Sequence, residues 1–464
     1  ATLVAGCNSN NDSSTPEPSA KNVIFFLGDG MGLNTLTAAR IYGVGEEGSL
    51  TIDTLPETAF IKTFSHDAQV TDSAPSMAAY MTGVKSNNGV ISMDSDATYE
   101  SDCSQSAGKP VTTLLELAKA DGRGTGVVTS TRVTHATPAA TYAHICNRDL
   151  EADIAAQLVP GGAGYNGALK EGLDVVLGGG SSFFLPKADK GKREDGRNLI
   201  DEMQATGYPS ASTLDALNQA EAGLSGDGTS VSVEAGKPLL GLFGSSHMKY
   251  DLDRPTSEPS LAQMTLAAIK QLKDKEKGYF LMVEGGRIDH ALHDTNAKRA
   301  LQDTLAFDDA IKATLDEVKK TDPELKNTLI VVTADHDHTL VLNGYAKRTG
   351  KTTAGNPGVL GLVKNYETGE PSKDSDGMPY TIIGFGNGYN RVDGPRSSVA
   401  PLDDATVSAD DYHQEVVVKV GEIGNETHGG TDVFLGAIGQ GADSFHGSLD
   451  NTAVFGKVKA AAKL

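Results

Sequence analysis

Residues 22–32 read NVIFFLGDGMG, an unbroken apolar run from Val23 to Leu27 that stops abruptly at Gly28 and Asp29. A run this short and this rich in Val, Ile, Leu and Phe predicts a strand buried on both faces of a mainly parallel sheet. The same pattern recurs in GVVTSTRVTHATPAA at 126–140, DVVLGGG at 174–180, YFLMVEGGRIDH at 279–290 and TLIVVTADHDH at 328–338. Helical patterns lie between them, in VTTLLELAKADG, SLAQMTLAAIKQLKD and ALQDTLAFDDAIKATLDEVKK. Alternating strands and helices predict an α/β fold, a three-layer sandwich whose mainly parallel central sheet is flanked by helices.

In such sheets ligands collect beyond the carboxyl ends of the strands. Asp29 follows the first run, Glu284 falls at the end of YFLMVE, and Asp335 with His336 follows LIVVTA. Asp289 and His293 are four residues apart, on one face if the segment turns into a helix. His428 in NETHGG adds a nitrogen from a loop. Zinc accepts His and Asp together, and a catalytic zinc site keeps one position open.

The stretch VTDSAPSMAAYMTG at 70–83 raises a different question. Ser73 opens what reads as a helix of small residues, and the free N–H groups of such a terminus suit an anion. Asp72, directly before it, repels one. The chain as a whole carries a formal net charge of −21, which argues against nucleic acid as a partner. An anionic substrate therefore needs local positive charge, from metal ions or a placed arginine.

The length of 464 residues leaves one, two or three domains open, and 53 glycines, no Trp and 38% hydrophobic residues describe a globular protein. No internal repeat is evident. The opening ATLVAGC resembles the lipobox of bacterial lipoprotein signal peptides, followed by the polar NSNNDSSTPEPSAK. Residues 1–20 are thus expected to be a signal remnant and flexible linker, with Cys7 as the candidate for a lipid anchor. The expected location is outside the cytoplasm: periplasmic, anchored to the outer membrane, or secreted. Cys103 and Cys146 suit one disulfide in an oxidising compartment, with a free buried thiol as the alternative. Two polar stretches, about 187–237 and about 340–425, interrupt the strand and helix order, and the second is expected to be a large insertion in a domain spanning 21–464.

GDGMG, TDSA, THATPAA, EGGRIDH, TADHDH and ETHGG together resemble the alkaline phosphatase family in order and number, over about residues 22–464. The resemblance implies a phosphomonoesterase working at alkaline pH with Ser73 as the nucleophile that becomes a phosphoserine. It implies one zinc ion on Asp289, His293 and His428, and another on Asp29, Asp335 and His336 with Ser73. It also implies a magnesium ion near Asp29, Thr137 and Glu284, with Arg148 gripping two phosphate oxygens and Asp72 orienting Arg148. The substrates would be small phosphomonoesters, and family members are commonly homodimers, so the insertion is either a dimer contact or a lid. Two metals suit the charge that develops on a phosphoryl group in transfer, and a planar guanidinium suits two oxygens at once.

His135 and His290 stand where enteric bacterial members carry Asp and Lys, and resemble animal members instead. Gly244 stands where animal members have a calcium-binding Glu, so no fourth metal is carried over. Ser73-Ala74-Pro75-Ser76 also resembles the start of a sulfatase motif, but Met77 replaces its arginine. A phosphodiesterase of the same superfamily is the other enzymatic alternative. A metal-storing or adhesive surface protein would account for the acids and the lipobox, but not for Ser73 and Arg148.

Overall fold

All five apolar runs become strands of one ten-stranded sheet. In the computed structural model, which describes residues 18–100, 102–221 and 238–464, the strands in chain order are β1 (Asn22–Gly28), β2 (Glu57–Lys62), β3 (Gly124–Arg132), β4 (Val175–Gly179), β5 (Ser210–Ala211), β6 (Leu239–Leu242), β7 (Tyr279–Gly285), β8 (Thr328–Ala334), β9 (Asp337–His338), β10 (Leu340–Leu342), β11 (Ile383–Gly388), β12 (Val416–Lys419), β13 (His428–Gly429), β14 (Val433–Gly439) and β15 (Gly447–Asp450). The large sheet runs β15-β2-β14-β8-β1-β7-β3-β4-β6-β5. The lipid anchor expected at Cys7, and residues 222–237 of the first polar stretch, lie outside the described residues.

Every neighbouring pair in this sheet is parallel except those made by β14, which is antiparallel to both β8 and β2. The sheet is therefore mixed, with a parallel centre. The central strands β1, β7 and β8 are buried almost throughout, as runs covered on both faces must be. Strands β2 and β14 are the ones the apolar-run pattern does not reveal. ETAFIK alternates buried and exposed positions with charge at both ends, and VFLGAIG is interrupted by Gly436.

Helices flank the sheet in two groups. Leu33–Val44, Leu261–Leu272, Arg287–His293 and Ala297–Val318 pack on one another, and Ser73–Thr82, Leu114–Ala120, Ala136–Tyr142 and Asn451–Ala462 form the second set. The second polar stretch builds its own small sheet, β10-β11-β12.

Register is what positions the site. Gly28 lies opposite both Gly285 and Ala334, and Glu284 lies opposite Leu27 and Thr129. The carboxyl ends of β1, β7 and β8 are thus level, and Asp29, Glu284 and Asp335 emerge at one edge.

Two ties hold the loops above the second helix group. Cys103 and Cys146 are joined with their Cα atoms 5.5 Å apart, closing a 43-residue separation; by chain entropy such a link contributes about 4 kcal/mol. The other tie is a buried pair. Thr113 and Glu116 form a capping box at the start of Leu114–Ala120, and Glu116 Oε1 also accepts from His144 Nε2 at 2.8 Å and Asn166 Nδ2 at 2.7 Å. His144 Nδ1 lies 2.8 Å from the Ser92 carbonyl, so both ring nitrogens face acceptors and the imidazolium fits best.

Burial opposes the charge on His144, but Glu116 outweighs it and raises the pKa above the ordinary 6.5. Burial likewise pushes Glu116 up, and the hydrogen bonds from His144, Asn166 and Thr113 reverse this, leaving it below the ordinary 4.5. The raised His contributes fully below pH 6.5 and loses its contribution as pH rises through the folded value; the depressed Glu contributes above pH 4.5. The pair is therefore complete between those limits. His144→Ala is expected to lower the unfolding free energy by about 3 kcal/mol at pH 6, with a smaller penalty at strongly alkaline pH. Urea titrations of both proteins at the two pH values check this; a penalty independent of pH would mean that His144 is neutral.

Candidate active site

Ser73 is the first residue of a ten-residue helix, Ser73–Thr82, whose residues are all buried. Its small side chains let it lie deep, and two bonds fix it to the end of β8. Ser76 Oγ donates to the Asp335 carbonyl at 2.7 Å and the Tyr80 hydroxyl to the Ala334 carbonyl at 2.8 Å. Pro75 falls in the first turn, where its missing N–H costs nothing. Ser73 Oγ then lies 3.3 Å from Asp29 Oδ1 and 3.2 Å from His336 Nε2.

Asp72 is the cap of that helix. Its Oδ1 accepts from Ala74 N–H at 2.6 Å and from Arg148 Nη1 at 3.0 Å, and its Oδ2 accepts from Gly89 N–H. The carboxylate that looked misplaced in the sequence is spent on the helix terminus and on an arginine, which turns local repulsion into local positive charge. Arg148 Nη2 lies 3.0 Å from His135 Nε2, so the guanidinium is held from two sides.

The three histidines predicted as ligands share one device. His428 Nδ1 donates to the Thr71 carbonyl at 2.8 Å, His336 Nδ1 to the Asp337 carbonyl at 3.2 Å, and His293 Nδ1 to the Glu426 carbonyl. Each backbone acceptor fixes the proton on Nδ1 and leaves the Nε2 lone pair facing the cavity. Those lone pairs converge. His428 Nε2 is 3.1 Å from His293 Nε2, and both lie near Asp289 Oδ1, at 3.5 and 3.2 Å. His336 Nε2 is 3.3 Å from Asp29 Oδ1 and 3.4 Å from Asp335 Oδ2. Lone pairs and carboxylates aimed at one another need a cation between them.

Asp29, Glu284 and Asp335 have no exposed surface. Burial, then the neighbouring Asp335, holds Asp29 well above the carboxylate range; burial raises Asp335 and pushes Glu284 up to about 7. Burial would also raise Asp289, but His293, His338 and His428 hold it well below. Asp29 Oδ2, Asp335 Oδ2, Glu284 Oε1 and Thr137 Oγ1 are buried without a hydrogen-bond partner, although polar atoms in a protein interior nearly always have one. Unfilled acceptors in a ring of acids fit metal ligation, and Asp29, Asp335 and His336 form one close group while Asp29, His135 and Glu284 form another.

Three contributors went unassigned in the sequence reading. His338, last residue of TADHDH, lies 2.8 Å from Asp289 Oδ1 and 2.6 Å from Glu426 Oε2, and although burial opposes its charge these carboxylates raise its pKa to about 10. It is a buried cation that orients Asp289. Glu426, first residue of ETHGG, completes that chain, and β13 pairs with β9 so that His428 sits opposite His338. Gly30 fits beside them because its φ is +67° and a Cβ there would come within 2.6 Å of the His338 ring. The signal for His338 was the two-residue spacing from His336, which the charge of Asp337 obscured. His247, from the loop after β6, is the third; nothing in GLFGSSHMKY marks it, because its neighbours His135 and His290 come from distant segments. All the other predicted site residues meet at the one sheet edge, His290 beside His135 at a ring-centroid distance of 5.3 Å.

A sequence profile described as alkaline phosphatase matches residues 20–464. The tissue-nonspecific alkaline phosphatase of Gallus gallus is 37% identical over 454 residues, spanning 92% of this chain and 82% of that protein. The membrane-bound alkaline phosphatase of Bombyx mori is 37% identical over 471 residues, spanning 94% and 78%. Among solved structures, Thermus thermophilus alkaline phosphatase superposes with a TM-score of 0.68 at 25% identity, covering 100% of this chain and 96% of that one. The alkaline phosphatase of the Antarctic bacterium TAB5 gives 0.65 at 24% identity, covering 96% and 98%, a likeness of fold. With residues 20–464 matched and Ser73, the acids and the histidines gathered at one sheet edge, the chain belongs to the alkaline phosphatase family.

Proposed function

We propose that this protein hydrolyses phosphomonoesters at alkaline pH through a phosphoserine on Ser73, releasing inorganic phosphate, with two zinc ions and one magnesium ion as cofactors. The observation that carries the reading is the position of Ser73 Oγ, which lies 3.3 Å from Asp29 and 3.2 Å from His336, with the Asp72 beside it holding Arg148.

Asp289, His293 and His428 would hold one zinc, and Asp29, Asp335 and His336 the other; the Nε2 lone pairs left free by the backbone carbonyls support this assignment. Asp29, Thr137 and Glu284 would hold magnesium, a choice supported by an all-oxygen donor set and by two unfilled buried acceptors, Thr137 Oγ1 and Glu284 Oε1. When bound, these ions supply the positive charge that favours an ionised serine and offsets charge on the transferred phosphoryl group.

The chain's own groups do the rest. Arg148 spends one Nη hydrogen on Asp72 and another on His135, so its remaining N–H groups face the phosphate oxygens from a fixed plane. Ser73 Oγ attacks phosphorus from the buried helix terminus, forming the O–P bond as the ester oxygen leaves with its alcohol. Water then cleaves the phosphoserine, restoring the hydroxyl and releasing phosphate. His338, tied to Asp289 and Glu426, keeps Asp289 ionised and oriented.

We further propose a homodimer, with the small sheet of the insertion as its contact. The exposure of Val417 and Val418 on the edge strand β12, at 67% and 51%, supports this, as does that of Tyr345 at 89%. Lipid attachment at Cys7 and a periplasmic or outer-membrane location remain part of this proposal. No helix among the described residues is long and apolar enough to cross a membrane.

Turnover of a phosphomonoester well above that of a phosphodiester or a sulfate ester tests the activity directly; comparable sulfate ester turnover would reverse the reading. Exhaustive chelation is expected to abolish turnover and lower the melting temperature, with zinc and magnesium restoring both, because ions bound only by the folded state stabilise it. Activity in protein shown to be free of metal would overturn the mechanism. Ser73→Ala is expected to accept no covalent label from radioactive phosphate at low pH, where the parent does. Arg148→Ala is expected to weaken inhibition by inorganic phosphate by about 2–4 kcal/mol with bound metal unchanged, read from inhibition constants and metal analysis.

A further inference from the structure

The helix that carries Asp289 and His293, Arg287–His293, has only seven residues and ends in a conformation its sequence does not favour. Asn296 N–H donates to the Ala291 carbonyl and Thr295 N–H to the Leu292 carbonyl, both at 2.8 Å, the bonding pattern of a Schellman end. That pattern needs one left-handed residue, usually glycine. Here the residue is Thr295, at φ +54°, fully buried and with its Oγ1 unpartnered. A β-branched side chain keeps such a backbone only where its surroundings over-determine it.

Those surroundings come from the insertion and the turn that closes it. The carbonyls of His293, Asp294 and Thr295 lie past the last turn, where a helix has no donors of its own for them. Each is taken by the segment 408–426: His293 by Glu426 N–H at 3.3 Å, Asp294 by His413 Nδ1 at 2.5 Å and Thr295 by Gln414 N–H at 2.8 Å. Bonds also run the other way. Asn296 Nδ2 donates to the Asp410 carbonyl and Lys298 Nζ to the Ser408 carbonyl, both at 2.9 Å. Gly388 leaves room for the threonine methyl, since a Cβ there would come within 2.7 Å of Thr295 Cγ2.

The two sets of zinc ligands differ in this respect. Asp29, Asp335 and His336 follow the ends of β1 and β8, which the sheet's own ladder holds in register. Among the described residues no hydrogen bond joins 408–414 to that set. Asp289 and His293 instead stand on a two-turn helix whose end is held from the insertion.

We propose that residues 408–414 brace the end of this helix, with His413 as a positioning residue for Asp289 and His293. Retention of the zinc ion on Asp289, His293 and His428 then depends on the insertion, and retention of the ion on Asp29, Asp335 and His336 does not. This rests on the metal assignment proposed above and gives the 340–425 stretch a task besides its dimer contact. His413 acts through the Asp294 carbonyl, one residue beyond His293.

The test is zinc release from the holoenzyme into a chromogenic chelator, with metal analysis before and after. His413→Ala is expected to release one zinc ion per chain at least about tenfold faster than the parent, the lower end of what removing a group behind a metal ligand costs, and the other ion at the parent's rate. His413→Asn, whose amide can donate to the same carbonyl, is expected to release both ions as the parent does. Lys298→Ala, which cuts the tie to Ser408, is expected to speed the same single ion and decides the matter if His413→Ala does not fold. Equal acceleration of both ions, no acceleration in either alanine variant, or an asparagine variant as fast as His413→Ala overturns the brace. A parent protein that binds no zinc would instead refute the metal assignment itself.

Discussion

The structure turns on the burial of like charge. Asp29, Glu284 and Asp335 have no exposed surface and Asp289 only 4%, yet all four meet at one sheet edge. Carboxylates in a low-dielectric interior repel one another strongly, and burying an unpaired one is costly. Three features of the fold answer to this constraint. The level ends of β1, β7 and β8 fix the spacing of the acids. His338 supplies a buried positive charge between Asp289 and Glu426. The histidines turn their Nε2 lone pairs inward, an arrangement that suits the metal cofactors of the family.

A related economy governs the surroundings of Ser73. Asp72 caps the helix of Ser73, binds Gly89 and anchors Arg148. One carboxylate thereby sets the geometry between Ser73 and Arg148, and its own charge is balanced in doing so.

Much of this was legible in the sequence because it was local. The apolar runs ending at Asp29, Glu284 and Asp335 identified the parallel centre, and the motifs around Ser73, Asp289 and His428 pointed to the residues that the fold gathers into the candidate site. What escaped was non-local or locally disguised. Strand β14 is broken by glycine and pairs with segments far away in the chain, so no periodicity announces it. His338 reads as a second histidine in an acidic stretch until its two carboxylate partners are seen. His247 acquires meaning only from rings contributed by two other segments. Periodicity reports an element's own burial; it carries no information about partners that the fold brings from elsewhere.

The placement of β14 also governs when the protein can finish folding. Residues 433–439 sit between β8 and β2, so β2, made near the beginning of synthesis, has no neighbour in the main sheet until nearly the whole chain exists. The strand that would cover it, β15, comes later still. Closure of the sheet is thus a late event of high contact order, and a growing chain holds ETAFIK unpaired throughout its synthesis.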